Sequence, residues 1–323
     1  TTIQSERNPN GLGRDQLAWL INATVRDGAI QQRWGWQRRG TVHDGSVMFQ
    51  GKFMYEPTGA DPYIVTAIGG VIYRVDPDTG QATDISGGLA MPADQDYYYF
   101  CQAEQFLVIQ AGDNVTLPLF WDGTTMRRSK GITTAVVAPG TPGVNEIPAA
   151  TSMDYYMGRL WYAQGRQYSA GDIVGGASGT LAYDFRDAVL NVTENPLVVG
   201  GDGFTVPTED GSIRALKHGA AIDAALGEGR LFVFTRKAVY ALQVPVTRTD
   251  WIAAGNNNQP LQTVVQLVNG SVNDRSIVAV NGDLFYQSLE PGIRSLLQAV
   301  RYFTQWGNVS ISAATSYIDF GSA

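Results

Sequence analysis

The stretch Gly229-Arg-Leu-Phe-Val-Phe-Thr-Arg-Lys-Ala-Val-Tyr-Ala-Leu242 decides the fold. It holds two apolar and aromatic runs on either side of the short polar break Thr235-Arg-Lys237. That is the pattern of two strands joined by a turn. Leu231, Phe232, Val233 and Phe234 are all apolar, so neither face of this strand suits water. In a sandwich the outer face would alternate with polar residues, whereas a propeller packs each inner strand between neighbouring sheets.

The same grammar recurs outward from this stretch. Tyr63–Ile68, Gly69-Gly70 and Val71–Val75 form one copy, closed by Asp76-Pro-Asp-Thr-Gly80. Gln105–Ile109 with Leu119–Trp121 forms another, a third opens at Gly158-Arg-Leu-Trp-Tyr162, and the last pairs Ser276–Val280 with Leu284–Tyr286 across Asn281-Gly-Asp283. Ile277 through Val280 again reads as covered on both faces. The aromatic markers Tyr73, Trp121, Trp161, Tyr240 and Phe285 lie 48, 40, 79 and 45 residues apart, a blade-sized period with one weak copy. The expected fold class is therefore all-β, a β-propeller of about five or six blades with an irregular inserted region.

Composition agrees. The 323 residues are 44% hydrophobic and only 16% charged, with 37 glycines. Lysine, a good helix former, occurs only at Lys52, Lys130, Lys217 and Lys237. A chain of this length buries about three quarters of its unfolded surface, enough for a large core without cross-links. The net charge of −7 gives no field that would draw a phosphate backbone or an anionic lipid surface. Cys101 is the single cysteine, so there is no internal disulfide and no thiolate-rich zinc site. It reads as a small buried hydrophobe. No apolar run is long enough to span a membrane as a helix, and Thr1–Asn10 does not read as an export signal. The sequons at Asn22, Asn114, Asn191 and Asn308 are read as chance.

Along the chain, residues 1–40 read as N-terminal strands leading into the first blade, and 41–310 as the propeller. Gly131–Ala150, with Pro139, Pro142 and Pro148, reads as a linker between blades. An insertion is expected near 165–211, with a turn of helix between Asp184 and Val192. Leu296–Trp306 reads as a short helix or an edge strand, and 311–323 as a flexible tail.

Candidates for chemistry are sparse. His43 and His218 are the only histidines, and neither lies in a nucleophile motif. Propeller glycosidases use carboxylate pairs, which brings in Asp94 with Asp96, Asp184 with Asp187 and Glu209 with Asp210. All sit in turn-like contexts, and no sialidase box repeats. Asp76, Asp78 and Asp84 could face a divalent ion, but Pro77 and Gly80 fit a hairpin turn better. Gly11-Leu-Gly13 and Gly227-Glu-Gly229 lack the context of a phosphate cradle. No catalytic, cofactor or metal residue is assigned. Arg33, Trp34, Trp36, Arg38 and Arg39 form the one basic and aromatic patch. Stacking and phosphate contact would suit it, but Arg and Trp also mark interface centres, so it reads as a subunit interface.

Leu20-Ile-Asn-Ala-Thr-Val-Arg-Asp-Gly28 followed by Gln32-Arg-Trp-Gly35 resembles the opening of the tail nozzle, or tail tubular protein B, family of short-tailed phages. Gly211-Ser-Ile-Arg-Ala-Leu216, Gly229–Leu242, Asn281-Gly-Asp-Leu-Phe-Tyr286 and Gly292-Ile-Arg294 resemble later blades of the same proteins. The resemblance covers roughly residues 16–306 in short motifs. It implies a structural virion protein without enzymatic activity or cofactor, made in the bacterial host cytoplasm and resident in the tail. It also implies a homohexameric ring, contact with the tail adaptor and other tail proteins, and transient non-specific contact with phage DNA during ejection. Family members run on past the region matching Trp306, whereas this sequence ends at Ala323. The rival expectation is a propeller that binds or cleaves carbohydrate. A third is a free scaffold propeller.

Overall fold

The computed structural model describes residues 2–3, 16–17, 23–26, 29–32, 47–132, 145–174, 187–194, 204–219, 229–244, 261–266, 269–280, 282–290 and 292–296. Near the N-terminus, β1 (Thr2–Ile3) pairs in parallel with β2 (Gln16–Leu17), while β3 (Ala23–Arg26) and β4 (Ala29–Gln32) form a hairpin of their own. The rest of the chain is a succession of antiparallel meanders, as the composition requires, with no α-helix four residues or longer among the described residues.

The first sheet is β5 (Phe49–Tyr55), β6 (Tyr63–Ile68), β7 (Val71–Val75) and β8 (Ala82–Asp84). The second is β9 (Tyr99–Ala103), β10 (Phe106–Gln110), β11 (Leu119–Trp121) and β12 (Met126–Arg128). The third is β13 (Met153–Tyr156), β14 (Arg159–Gln164), β15 (Gln167–Ala170) and β16 (Phe204–Thr205). The fourth is β17 (Ile213–His218), β18 (Leu231–Thr235), β19 (Val239–Gln243) and β20 (Leu261–Gln266). A three-stranded fifth sheet, β21 (Ile277–Val280), β22 (Asp283–Gln287) and β23 (Ile293–Ser295), ends the described chain. In each sheet the strands lie side by side in chain order. Between β15 and β16 a 3₁₀ turn, Asp187–Leu190, stands where the sequence suggests a turn of helix.

Local chemistry explains the turns. Gly69 and Gly70 join β6 to β7 with φ of 59° and 83°, the two left-handed positions that a tight hairpin needs. A Cβ at Gly70 would lie 2.4 Å from the Met91 carbonyl oxygen, so glycine is required twice over. Three loops share one device. The Asp76 carboxylate accepts the backbone N–H groups of Asp78 and Thr79, Asp113 those of Val115 and Thr116, and Asp122 those of Thr124 and Thr125. Aspartate here closes its own turn. Asp84 does the same for Ser86.

Alternate residues of one strand feed two different cores. Leu107 and Ile109 of β10 pack with Tyr63 and Val65 of the first sheet, whereas Phe106 and Val108 pack with Leu160 and Tyr162 of the third. Trp161 and Ala163 of β14 turn the other way, towards Leu231 and Val233 of β18. Phe234 in turn meets Tyr286 of β22 edge-on at 5.3 Å. The expectation that Leu231–Phe234 is covered on both faces holds. The same expectation for Ile277–Val280 does not: Ile277 is buried, but Val278 and Val280 are 55% and 44% exposed. The physical reason is position. Sheets two to four lie between two neighbours, while the far face of the fifth sheet has none among the described residues.

Candidate functional site

The 3₁₀ turn Asp274–Ser276 opens the fifth sheet and touches the leading segments of the other four. Asn273 caps it, its side-chain oxygen accepting the Ser276 N–H at 2.8 Å. Arg275 Nη2 donates to the carbonyl of Gln50 at 3.0 Å, on β5, and to that of Tyr98 at 3.3 Å, just before β9. Its guanidinium lies 4.2 Å from the centre of the Tyr97 ring, a cation–π contact. Asp274 Oδ1 accepts the Ser152 hydroxyl at 2.6 Å, just before β13, and lies 3.4 Å from Lys217 Nζ on β17. Residues separated by as many as 225 positions thus meet in one place.

The approach is close enough to dictate glycine at position 51. A Cβ there would stand 2.8 Å from the Phe100 ring and 3.3 Å from Arg275 Nη2. Gln50 beside it is fully buried: its side-chain oxygen accepts from Gly70 N–H, and its amide donates to the carbonyls of Pro92 and Gln95. The first sheet is therefore tied to the second at the same end where Arg275 arrives.

A second group of polar residues adjoins the turn. His218 Nδ1 lies 2.8 Å from Asp154 Oδ2, and its ring stacks on Tyr156 at 5.9 Å between centres. Burial alone would depress the Lys217 ammonium, but Asp274 and Asp154 hold its pKa above the ordinary value. Cys101 is buried nearby, and burial pushes its thiol well up, the reverse of an activated nucleophile. The Ser152 hydroxyl donates a hydrogen bond to Asp274 and accepts one from the Leu216 N–H. The Asp154–His218 pair resembles an orienter and a base, but the Ser152 hydroxyl spends both its roles on holding segments together.

Between this turn and β9 lies a hollow of about 330 Å³, lined by Tyr97, Tyr99, Asn273, Asp274, Arg275 and Gln287 among others. Among the described residues no three of His, Cys, Asp and Glu are grouped to hold a metal ion.

The residues singled out from sequence are scattered relative to this centre. Arg33, Trp34, Trp36, Arg38 and Arg39 lie outside the described residues, as do His43, Asp184 and the segments 297–306 and 311–323. Glu209 and Asp210 sit in a 3₁₀ turn where Asp210 accepts the Tyr240 hydroxyl. Asp94 and Asp96 stand in the loop before β9, and Asp187 begins a 3₁₀ turn. His218 belongs to the centre. Asp274, Arg275, Asp154 and Lys217 were not legible as a set, because only the assembled sheets bring them together.

No protein-family description matches this chain, and no curated protein matches it. Among solved structures it is similar to the extracellular domain of a hybrid two-component system of B. thetaiotaomicron, at 7% identity and a TM-score of 0.37, over 80% of this chain and 32% of that one. This chain thus spans about a third of that structure's length. It is also similar to a chain of a nidogen/laminin complex, at 10% identity and a TM-score of 0.40, over 84% of this chain and 83% of that one. PorZ, a surface component of the type-IX secretion system of Porphyromonas gingivalis, aligns at 12% identity and a TM-score of 0.34, over 83% of this chain and 42% of that one. These likenesses carry no functional assignment.

Proposed function

We propose that the five meander sheets are blades of a β-propeller and that the chain is a structural subunit of a ring, of the phage tail nozzle or hub type, whose work is assembly and passage of DNA. The turn Asp274–Ser276 would then sit near the propeller axis, since it meets the leading segment of every other sheet. One observation carries the assembly reading. The first and fifth sheets, with the residues that lead into the first, leave Val47, Met48, Phe49, Met54, Val278 and Val280 uncovered, while β10, β14 and β18 between them are buried or half-buried along their length. Apolar residues gathered at such faces suit a protein contact. Contacts that close a ring are heterologous, joining two different surfaces of the same chain. The resemblance of Leu20–Gly28, Gly211–Leu216 and Gly229–Leu242 to nozzle proteins supplies the particular ring, and an acidic chain would let DNA slide rather than hold it.

Light scattering on the purified chain over a range of concentrations tests this, alone and with a tail adaptor. A ring-sized multiple of 34.9 kDa is the expected result. A strict monomer under every condition contradicts it.

A further inference from the structure

The hollow beside the turn Asp274–Ser276 has the makings of a binding site. Its volume of about 330 Å³ falls at the small end of the range for small-molecule pockets. The hydroxyls of Tyr97 and Tyr99 and the side-chain amide of Gln287 carry no hydrogen bond to any described residue. Tyr97 is 51% exposed, so one of its faces meets Arg275 and much of the rest meets solvent. Rings presented in this way take the apolar face of a sugar, and neighbouring amides take its hydroxyls.

Charge narrows the class. Lys217 lies against Asp274 and offsets it. Arg275 is held through Nη2 alone, by the carbonyls of Gln50 and Tyr98, which fixes the guanidinium and leaves its other N–H groups for a ligand. A planar guanidinium fixed in this way matches the two oxygens of a carboxylate. The Arg275 guanidinium itself lines the hollow, so a charged donor stands at its wall in a chain whose net charge is −7.

We propose that this hollow binds a carboxylated sugar, with Tyr97 and Tyr99 against its ring, Arg275 on its carboxylate, and Gln287 with Asn273 on its hydroxyls. The site does not rest on the ring-forming reading, because all the residues that line it belong to one chain. The test is a binding titration of the full chain, followed by saturation-transfer NMR, with glucuronate, glucose, acetate and inorganic phosphate as probes. Glucuronate is expected to bind at least about tenfold more tightly than glucose or acetate, the worth of one charged hydrogen-bonded pair. Gln287→Ala, whose side chain makes no hydrogen bond to a described residue, is expected to weaken it several-fold with unchanged thermal unfolding, and Tyr97→Ala, which also gives up the cation–π contact to Arg275, is expected to weaken it at least as much. Arg275→Lys keeps the charge but loses the fork, and is expected to remove the preference for glucuronate over glucose. The proposal is overturned if glucuronate does not bind, if acetate or phosphate binds as well as glucuronate, or if Tyr97→Ala and Gln287→Ala both keep full affinity.

Discussion

Two strands of nearly equal hydropathy meet opposite fates. Phe106-Leu-Val-Ile109 of β10 is buried at every position, whereas in Ile277-Val-Ala-Val280 of β21 only the first residue is. The difference lies in what stands beside each sheet. β10 lies between the cores shared with the first and third sheets, and β21 has a described neighbour on one side only. An unbroken apolar run shows that a strand is meant to be covered. It does not show that its own chain supplies the cover.

If that contrast is right, truncations in the interior sheets cost far more than in the terminal ones. Trp161→Ala, in a side chain with no exposed surface, is expected to lower unfolding free energy by about 3–5 kcal/mol in a denaturant titration. Gln50→Leu comes next, at about 2–3 kcal/mol, because it strands the Gly70 N–H and the carbonyls of Pro92 and Gln95 in a buried place. Gly70→Ala forces a left-handed residue against the Met91 carbonyl, and a loss of about 1–2 kcal/mol is expected.

The interior also buries charge, which gives a pH signature. Burial first and then Glu194 push the Asp172 carboxyl up to about 6 from 3.8, against three hydrogen bonds from Thr193 and Glu194. Between those values the folded chain holds a proton that the unfolded chain has released. Stability therefore falls as pH rises from 3.8 to about 6 and levels off above. Asp172→Asn keeps an oxygen for both backbone N–H groups and is expected to flatten that slope, as read from melting temperatures at a series of pH values. At the far end of the scale, Val278→Ala on the open face is expected to change monomer stability by no more than about 0.5 kcal/mol. A large loss there would show that the fifth sheet is covered after all.

Much of the sheet order was legible. The hairpins β6–β7, β10–β11, β18–β19 and β21–β22 fall where apolar runs flank Gly, Asp and Asn turns. The leading strands β5, β9, β13 and β17 were harder, because Gln50, Gln102, Asp154 and Lys217 interrupt them with polar side chains. Those interruptions are side chains that tie segments together: Gln50 to the loop before β9, Gln102 to the backbone of Glu56, Asp154 to His218, and Lys217 to Asp274. The site was illegible for the same reason: Asp274 and Arg275 look like any polar turn, and their meaning comes from distant partners, as far as 225 residues away. The turn reading of Asp76 was legible, since aspartate followed by proline and threonine encodes its own local hydrogen bonds.

Hydrogen exchange, resolved by peptide and repeated across protein concentrations, tests the central claim most directly, because it reads each sheet separately. The account predicts that β10, β14 and β18 exchange slowly at every concentration, while β5 and β21 become protected as concentration rises and their open faces are covered by neighbouring copies. Equal and concentration-independent exchange in β5 and β21, with or without a tail adaptor, would contradict it.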